Sequence, residues 1–271
     1  MIKKIFKVIS KPYLIPEKII NIIRFNNLKK KYNLRTYQKD QNLRFNQSGL
    51  DREKGIFNLN QLKKKNPVLI RAMSSEHESL FSSISLLKKK EPLNILEIGT
   101  HDGINSYLLS LLFENSKIKT IDLESKDYEF QNSYNREKSY NHFIDQRDKI
   151  IKERKNIFFK EQNSLSLINT NEKYDLIWVD GSHGYPTVCI DIINSLKLIN
   201  NNGLILCDDV FTNKPKNQDG TYSSIATFET ISALKKEKLI NFNLIYKRLE
   251  AHYNCDPSKR KFIAVINKKF V

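Results

Sequence analysis

The pattern of apolar and polar positions changes near residue 94. Beyond it, short apolar runs alternate with stretches of helical spacing. The runs Asn94–Ile98, Lys117–Ile121, Asn156–Phe159, Leu176–Val179, Leu204–Cys207, Phe242–Tyr246 and Phe262–Ile266 predict seven strands. Between them, Ile104–Phe113, Tyr128–Lys155, Val188–Ile199 and Ile225–Lys238 read as helices. Such alternation predicts an α/β fold: a Rossmann-like, mostly parallel seven-stranded sheet with helices on both faces. Ligands of these sheets bind beyond the carboxyl ends of the strands, so the chemistry is expected just after each strand.

The region before residue 94 reads differently. On a helix, Ile2, Ile5, Phe6, Val8 and Ile9 fall on one side and Lys3, Lys4, Lys7 and Lys11 on the other. Pro12 ends that amphipathic basic helix. A second apolar and basic stretch follows Pro16 and runs through Ile19, Ile20, Ile22, Ile23 and Phe25. Residues 27–66 are polar, basic and weakly periodic, and predict a loose connection. From Ser74 to Leu87 the pattern is helical again. Ser74 or Ser75 precedes Glu76 and Glu78 as in a capping box, with Leu80, Phe81, Ile84 and Leu87 at helical spacing. The expected organisation is a basic helical N-terminal extension over residues 1–73 and an α/β domain over 74–271.

Charge sharpens that division. The 271 residues hold 46 basic and 30 acidic side chains, a net of +16. The first 90 residues carry 21 basic and 6 acidic, whereas the remainder carries 25 and 24. A nucleic-acid enzyme concentrates positive charge near its groove. Here the apolar-rich part is almost neutral, which disfavours a nucleic-acid partner. Cys189, Cys207 and Cys255 have no CxxC spacing, which points to a reducing cytoplasm rather than a disulfide framework. No run of about 18 apolar residues predicts a membrane span, and the first residues lack the long apolar region of a secretory signal.

The strand ends carry the candidate chemistry. The first reads Glu97-Ile98-Gly99-Thr100-His101-Asp102-Gly103. Gly99 lets the chain turn off the strand, and Gly103 lets the next helix start close to a ligand with its free N–H groups facing outward. A turn alone would explain two glycines. Nineteen residues after Gly103, however, Asp122 ends the second strand, where a carboxylate can take ribose hydroxyls. The pair favours a nucleoside-containing cofactor. The fourth strand ends in Asp180-Gly181-Ser182-His183-Gly184-Tyr185. That places a carboxylate and an imidazole at the cleft mouth, unless Asp180 only caps a turn. His183 is the candidate general base, with Asp180 beside it. The fifth strand ends in Asp208-Asp209. With Asp180 these make a set of three carboxylates that calls for compensation, which a hard divalent cation would supply. One capping and one solvated carboxylate is the alternative. His101, in the glycine loop, is expected at the surface, with contact to the cofactor as the alternative; His77, His142 and His252 share no ligand-like spacing, and Trp178 is expected in the core.

The spacing E-x-G-x-x-x-G departs from the dinucleotide pattern and resembles the class I S-adenosylmethionine-dependent methyltransferases, nearest their small-molecule and sugar O-methyltransferase branch. The resemblance covers about residues 75–270. It implies that Glu97, Gly99 and Gly103 line the methionine end of the cofactor, that Asp122 takes the ribose, that Asn163 and Ser164 lie near the adenine, and that Thr100 and Asp180 also belong to the cofactor site. Relatives of this branch often carry an Asp-Gly-x-His-x-Tyr segment like that at Asp180. Some bind magnesium at acidic residues on these two strand ends, which here would be Asp180, Asp208 and Asp209.

Several motifs are missing. The sequence has no Asn/Asp-Pro-Pro-aromatic segment, Pro-Cys nucleophile, P-loop or G-x-S-x-G elbow. A hydroxyl of a small molecule or glycan is therefore the expected acceptor. Two other readings stay open: methylation of nucleic acid or protein, tethered by the basic first third, and a nucleoside-cofactor-binding module without turnover. For residues 1–25 the expectations are peripheral contact with an anionic membrane, or a helix docked on the domain with its lysines in solvent.

Overall fold

The computed structural model describes residues 15–70, 75–88, 91–133, 140–214 and 224–269. The amphipathic helix expected before Pro12 lies outside them. Among the described residues four helices come first: α1 (Ile15–Lys31), α2 (Leu34–Gln47), α3 (Arg52–Lys65) and α4 (Glu76–Leu87). Then follow β1 (Asn94–Ile98), α5 (Ile104–Leu112), β2 (Lys117–Asp122), α6 (Tyr128–Asn132), α7 (Tyr140–Lys152), β3 (Ile157–Glu161) and β4 (Tyr174–Val179). The chain continues with α8 (Thr187–Leu198), β5 (Ile199–Phe211), α9 (Ala226–Lys236), β6 (Ile240–Tyr246), α10 (Ala251–Asn254) and β7 (Lys261–Lys268).

The strands form one seven-stranded sheet in the order β3-β2-β1-β4-β5-β7-β6. All pairs from β3 to β5 are parallel, and β7 runs antiparallel between β5 and β6. This is the mostly parallel, Rossmann-like sheet that the alternation predicts. The strand order reverses between β1 and β4, and a crevice opens at such a reversal.

Strand periodicity builds two cores. Successive side chains of a strand point to opposite faces. In β4, Ile177 and Val179 join a cluster with Val188 and Ile192 of α8, while Leu176 and Trp178 join the other face. Both faces are covered, so the central strands read as continuous apolar runs.

Residues 27–66 are not a loose connection. They include two docked helices with side-chain caps: Asn33 Oδ1 accepts from the Thr36 amide at 3.2 Å, and Asp51 Oδ1 accepts from the Lys54 amide at 3.0 Å. Phe45, Leu50, Leu59 and Leu69 share one buried cluster with Leu80, Phe81, Ile95 and Trp178. A boundary at residue 73 would cut through that cluster. The inward face of α2 was hard to see because its central residue is polar. Gln41 is fully buried and pairs with the edge of β6, donating to the Tyr246 carbonyl at 2.9 Å and accepting from its amide at 2.9 Å. It thereby satisfies an edge strand that would otherwise present open backbone groups. Helix α1 sits further out. Ile19, Ile20, Ile22 and Ile23 are exposed, and Arg24 pairs with Asp256 at 3.8 Å.

Candidate active site

A cleft of about 580 Å³ opens at the carboxyl ends of β1, β2 and β4. Its lining includes Gly99, Thr100, Asp122, Asn163, Ser164, Asp180, Asp208 and Asp209, so most of the residues singled out from the sequence converge there. The volume lies in the range of small-molecule and cofactor sites.

Gly99 decides the shape of the cleft floor. Its φ is +101°, and a Cβ built there would lie 2.2 Å from the Asp180 carbonyl oxygen. Only glycine lets the β1 and β4 ends come this close. The first helix turn after it is set by Gly103 at φ +76° and by Asp102, whose Oδ1 accepts from the Ile104 amide at 3.1 Å. Asp122 is held by two backbone donors, the amides of His101 and Leu123, each at 2.9 Å. Each carboxylate oxygen keeps a lone pair for a further donor. Asn163 caps the 3-10 turn Ser164–Asn169 by accepting from the Leu165 amide at 3.0 Å.

Three expected site residues sit elsewhere. Glu97 is fully buried beneath the loop rather than in the cleft. It accepts from Asn105 Nδ2 at 2.7 Å, from Thr120 Oγ1 at 2.7 Å and from Ser106 Oγ, tying β1 to β2 and to α5. Burial, against those three donors, pushes its carboxyl up to about 6. Gly103 faces α7, where a Cβ would meet Ile151 Cγ1 at 3.2 Å. His183 is only 3% exposed and does not line the cleft. Its Nε2 lies 3.6 Å from Asp180 Oδ1 and 3.9 Å from Asp209 Oδ2, and burial holds its pKa below the usual value.

The carboxylates are differentiated by their neighbours. Asp180 has 34% of its side chain open. Burial of the rest, and then the Asp208 charge, raise its carboxyl well above the usual range. Burial would raise Asp209 as well, but Lys247, His183 and Lys261 outweigh it and hold that carboxyl low. A bulge places both aspartates at the site. The β5–β7 register shifts between Cys207 and Val210, and Asp209 takes φ +51°. Regular strand alternation would have sent two adjacent side chains to opposite faces.

His77, Arg248 and Lys247, which no sequence motif singled out, also line the cleft, and His101 lines it while staying partly exposed, so both of its expected placements hold. Lys247 and Arg248 follow the end of β6, which is last but one in chain order yet beside β7 in the sheet. No local spacing links them to the strand ends of the first half.

A family described as a methyltransferase domain matches residues 96–210. The chain carries a methyltransferase domain. No curated protein matches the chain in sequence. The solved structures that share the fold of this domain include two described as O-methyltransferases. A protein of Klebsiella pneumoniae described as an O-methyltransferase is 14% identical with a TM-score of 0.52, covering 78% of this chain and 96% of its own. The O-methyltransferase TomG of Streptomyces achromogenes, solved with SAM and involved in tomaymycin synthesis, is 14% identical with a TM-score of 0.52, covering 84% of this chain and 96% of its own. At that identity the likeness is one of fold.

The methyltransferase domain does not fit the divalent cation that its acidic set suggested. Asp180, Asp208 and Asp209 do come together. However, Lys247 Nζ lies 2.5 Å from Asp208 Oδ2 and also hydrogen-bonds Asp209 Oδ1, while Lys261 Nζ holds Asp209 Oδ2 at 2.6 Å. Among the described residues no group of three His, Cys, Asp or Glu is arranged to hold a metal ion. The compensation that three carboxylates require is supplied by ammonium groups. Among the described residues no helix is long and apolar enough to cross a membrane.

Proposed function

We propose that the protein transfers the methyl group of S-adenosylmethionine to a hydroxyl oxygen of a small molecule or glycan. The observation that carries this reading is one continuous cleft. The Gly99 turn and Asp122 stand on one side, and the Asp180, Asp208 and Asp209 cluster on the other. A nucleoside-bearing donor and an acceptor hydroxyl can then meet at the reversal between β1 and β4.

Asp122 accepts from a ribose hydroxyl with the lone pairs that its two backbone bonds leave free. Gly99, Thr100, Asn163 and Ser164 form the adjoining wall, and Glu97 and Gly103 support it from behind. S-Adenosylmethionine supplies an electrophilic methyl when bound. Asp180 takes the proton of the acceptor hydroxyl, since it is a carboxylate that lines the cleft and keeps a third of its side chain open. His183 orients Asp180 and Asp209 from below rather than meeting the acceptor. Catalysis rests mainly on holding donor and acceptor in line.

Residues 74–271 carry this chemistry in our reading, braced by α2 and α3. The exposed isoleucines of α1, beside Lys29, Lys30 and Lys31, support peripheral contact of residues 1–25 with an anionic membrane. Removing those residues would then abolish binding to anionic vesicles, and unchanged binding would refute the contact. The acceptor class is tested by incubating the protein with methyl-labelled S-adenosylmethionine and fractionated cell extract. Label in a base-stable small-molecule ether or glycan supports the reading. Label confined to RNA or protein overturns it.

A further inference from the structure

We propose that the Lys247 ammonium stands where related chemistry uses a divalent cation, so that methyl transfer here is metal-independent; this rests on the methyltransferase reading. Three observations carry it.

The first is position. Lys247 Nζ bonds both Asp208 and Asp209, and the residue lines the cleft with only 9% of its side chain exposed. A metal ion at the same carboxylates would have to displace an ammonium that is already in contact with them.

The second is construction. The Lys247 backbone is fixed on both sides. Its amide donates to the Lys261 carbonyl at 3.0 Å, and its carbonyl accepts from the Glu76 amide at 2.9 Å and from Ser75 Oγ at 3.3 Å. Ser75 makes no capping hydrogen bond at the start of α4; its hydroxyl contacts the Lys247 carbonyl at 3.3 Å and His77 Nδ1 at 2.8 Å, and Ser74, the other expected cap, lies outside the described residues. The start of α4 thus meets the Lys247 backbone at two points. The buried ion pair of Arg52 with Glu76, at 2.6 and 2.8 Å, anchors that helix start in turn.

The third is orientation of the acids. The bulge and the left-handed backbone of Asp209 aim both aspartates at ammonium groups. Backbone conformations of this kind persist where the surroundings over-determine them, often at functional sites.

The chemistry follows from the donor count. A lysine ammonium has three N–H bonds. Asp208 and Asp209 take two, and the third is available to an acceptor oxygen in the cleft. That oxygen attacks the sulfonium methyl, a C–O bond forms, and the S–CH3 bond breaks with its electron pair passing to sulfur. The acceptor proton goes to Asp180. Lys247 keeps its protons throughout and stabilises the charge that develops on the oxygen.

The test is a Mn2+ titration of the full-length protein followed by electron paramagnetic resonance, with S-adenosylhomocysteine binding measured on the same sample. The expected result is no saturable Mn2+ site up to millimolar concentration. A single Mn2+ site that disappears in Asp208→Asn would overturn the proposal. Alongside it, Lys247→Met should keep S-adenosylhomocysteine affinity while transfer to the labelled acceptor fraction falls about 10²-fold, the loss typical of a removed charge-stabilising donor. Unchanged transfer would also overturn it. If Lys247→Met does not fold, the wild-type titration still decides. Absence of S-adenosylhomocysteine binding to the wild type would instead refute the methyltransferase reading, independently of the Mn2+ result.

Discussion

Replacing Gly99 by alanine isolates the contact on which the cleft depends. Two costs combine there. At φ +101° an L-residue is strained, a penalty of about 1–3 kcal/mol. The added Cβ also lands 2.2 Å from the Asp180 carbonyl oxygen and 3.1 Å from the Gly181 amide nitrogen, both backbone atoms that cannot rotate away. The β1 and β4 ends must therefore separate. Gly49→Ala is the control. Its φ is +71°, but nothing lies within 4 Å of the built Cβ, so only the conformational cost of about 1 kcal/mol applies. Chemical denaturation should give a loss on the order of 3 kcal/mol for Gly99→Ala against about 1 for Gly49→Ala. Calorimetry should show S-adenosylhomocysteine affinity reduced at least about tenfold only in Gly99→Ala, since a 1 Å misplacement in a site is costly. Equal stability losses and equal affinities in the two variants would refute the close approach of the strand ends.

Phe45→Ala should lower stability by about 3–5 kcal/mol in urea unfolding, because the ring is fully buried against the sheet; a loss under about 1 kcal/mol would mean that α2 is not docked. Glu97, at about 6 in the folded chain against 4.5 as an ordinary Glu side chain, binds its proton more tightly when folded. Stability should therefore fall by about 2 kcal/mol as pH rises from 4.5 through 6, and Glu97→Gln should flatten that slope; an unchanged slope would place the titration elsewhere. Asp209→Asn keeps a residue that tolerates the left-handed backbone. It should still cost stability, because Lys247 and Lys261 lose their shared partner; stability equal to wild type would show that the two ammonium contacts do not bind the cluster together.

The α/β alternation and the strand-end residues were legible because each signal is local. An apolar run, a glycine turn and a carboxylate follow one another within a few residues, as in Leu96 to Asp102. The same locality explains what was lost. Gln41 breaks the apolar stripe of α2, and its reason for being buried is the backbone of Tyr246, 205 residues away. Phe45 and Leu59 were hard to recognise because polar residues flank each of them, Arg44 and Asn46 in α2 and Asn58 and Asn60 in α3. His183 was read as a cleft residue from its place beside Asp180, although i and i+3 in a loop fix no common direction, and the chain turns it beneath the carboxylates. The metal expectation failed to see Lys247 for a topological reason. β6 enters the sheet last but one in chain order, beyond β7, and returns its end to the β5 carboxylates.

A cleft built between β1 and β4 for a nucleoside donor of methyl groups must bind that donor. Its most direct test is calorimetric titration of the full chain, and of Asp122→Ala, with S-adenosylmethionine and with NAD. One S-adenosylmethionine site per chain is expected, weakened by about 1.5–3 kcal/mol in Asp122→Ala through loss of charged hydrogen bonds, with no response to NAD. Tight NAD binding with no response to S-adenosylmethionine would contradict it.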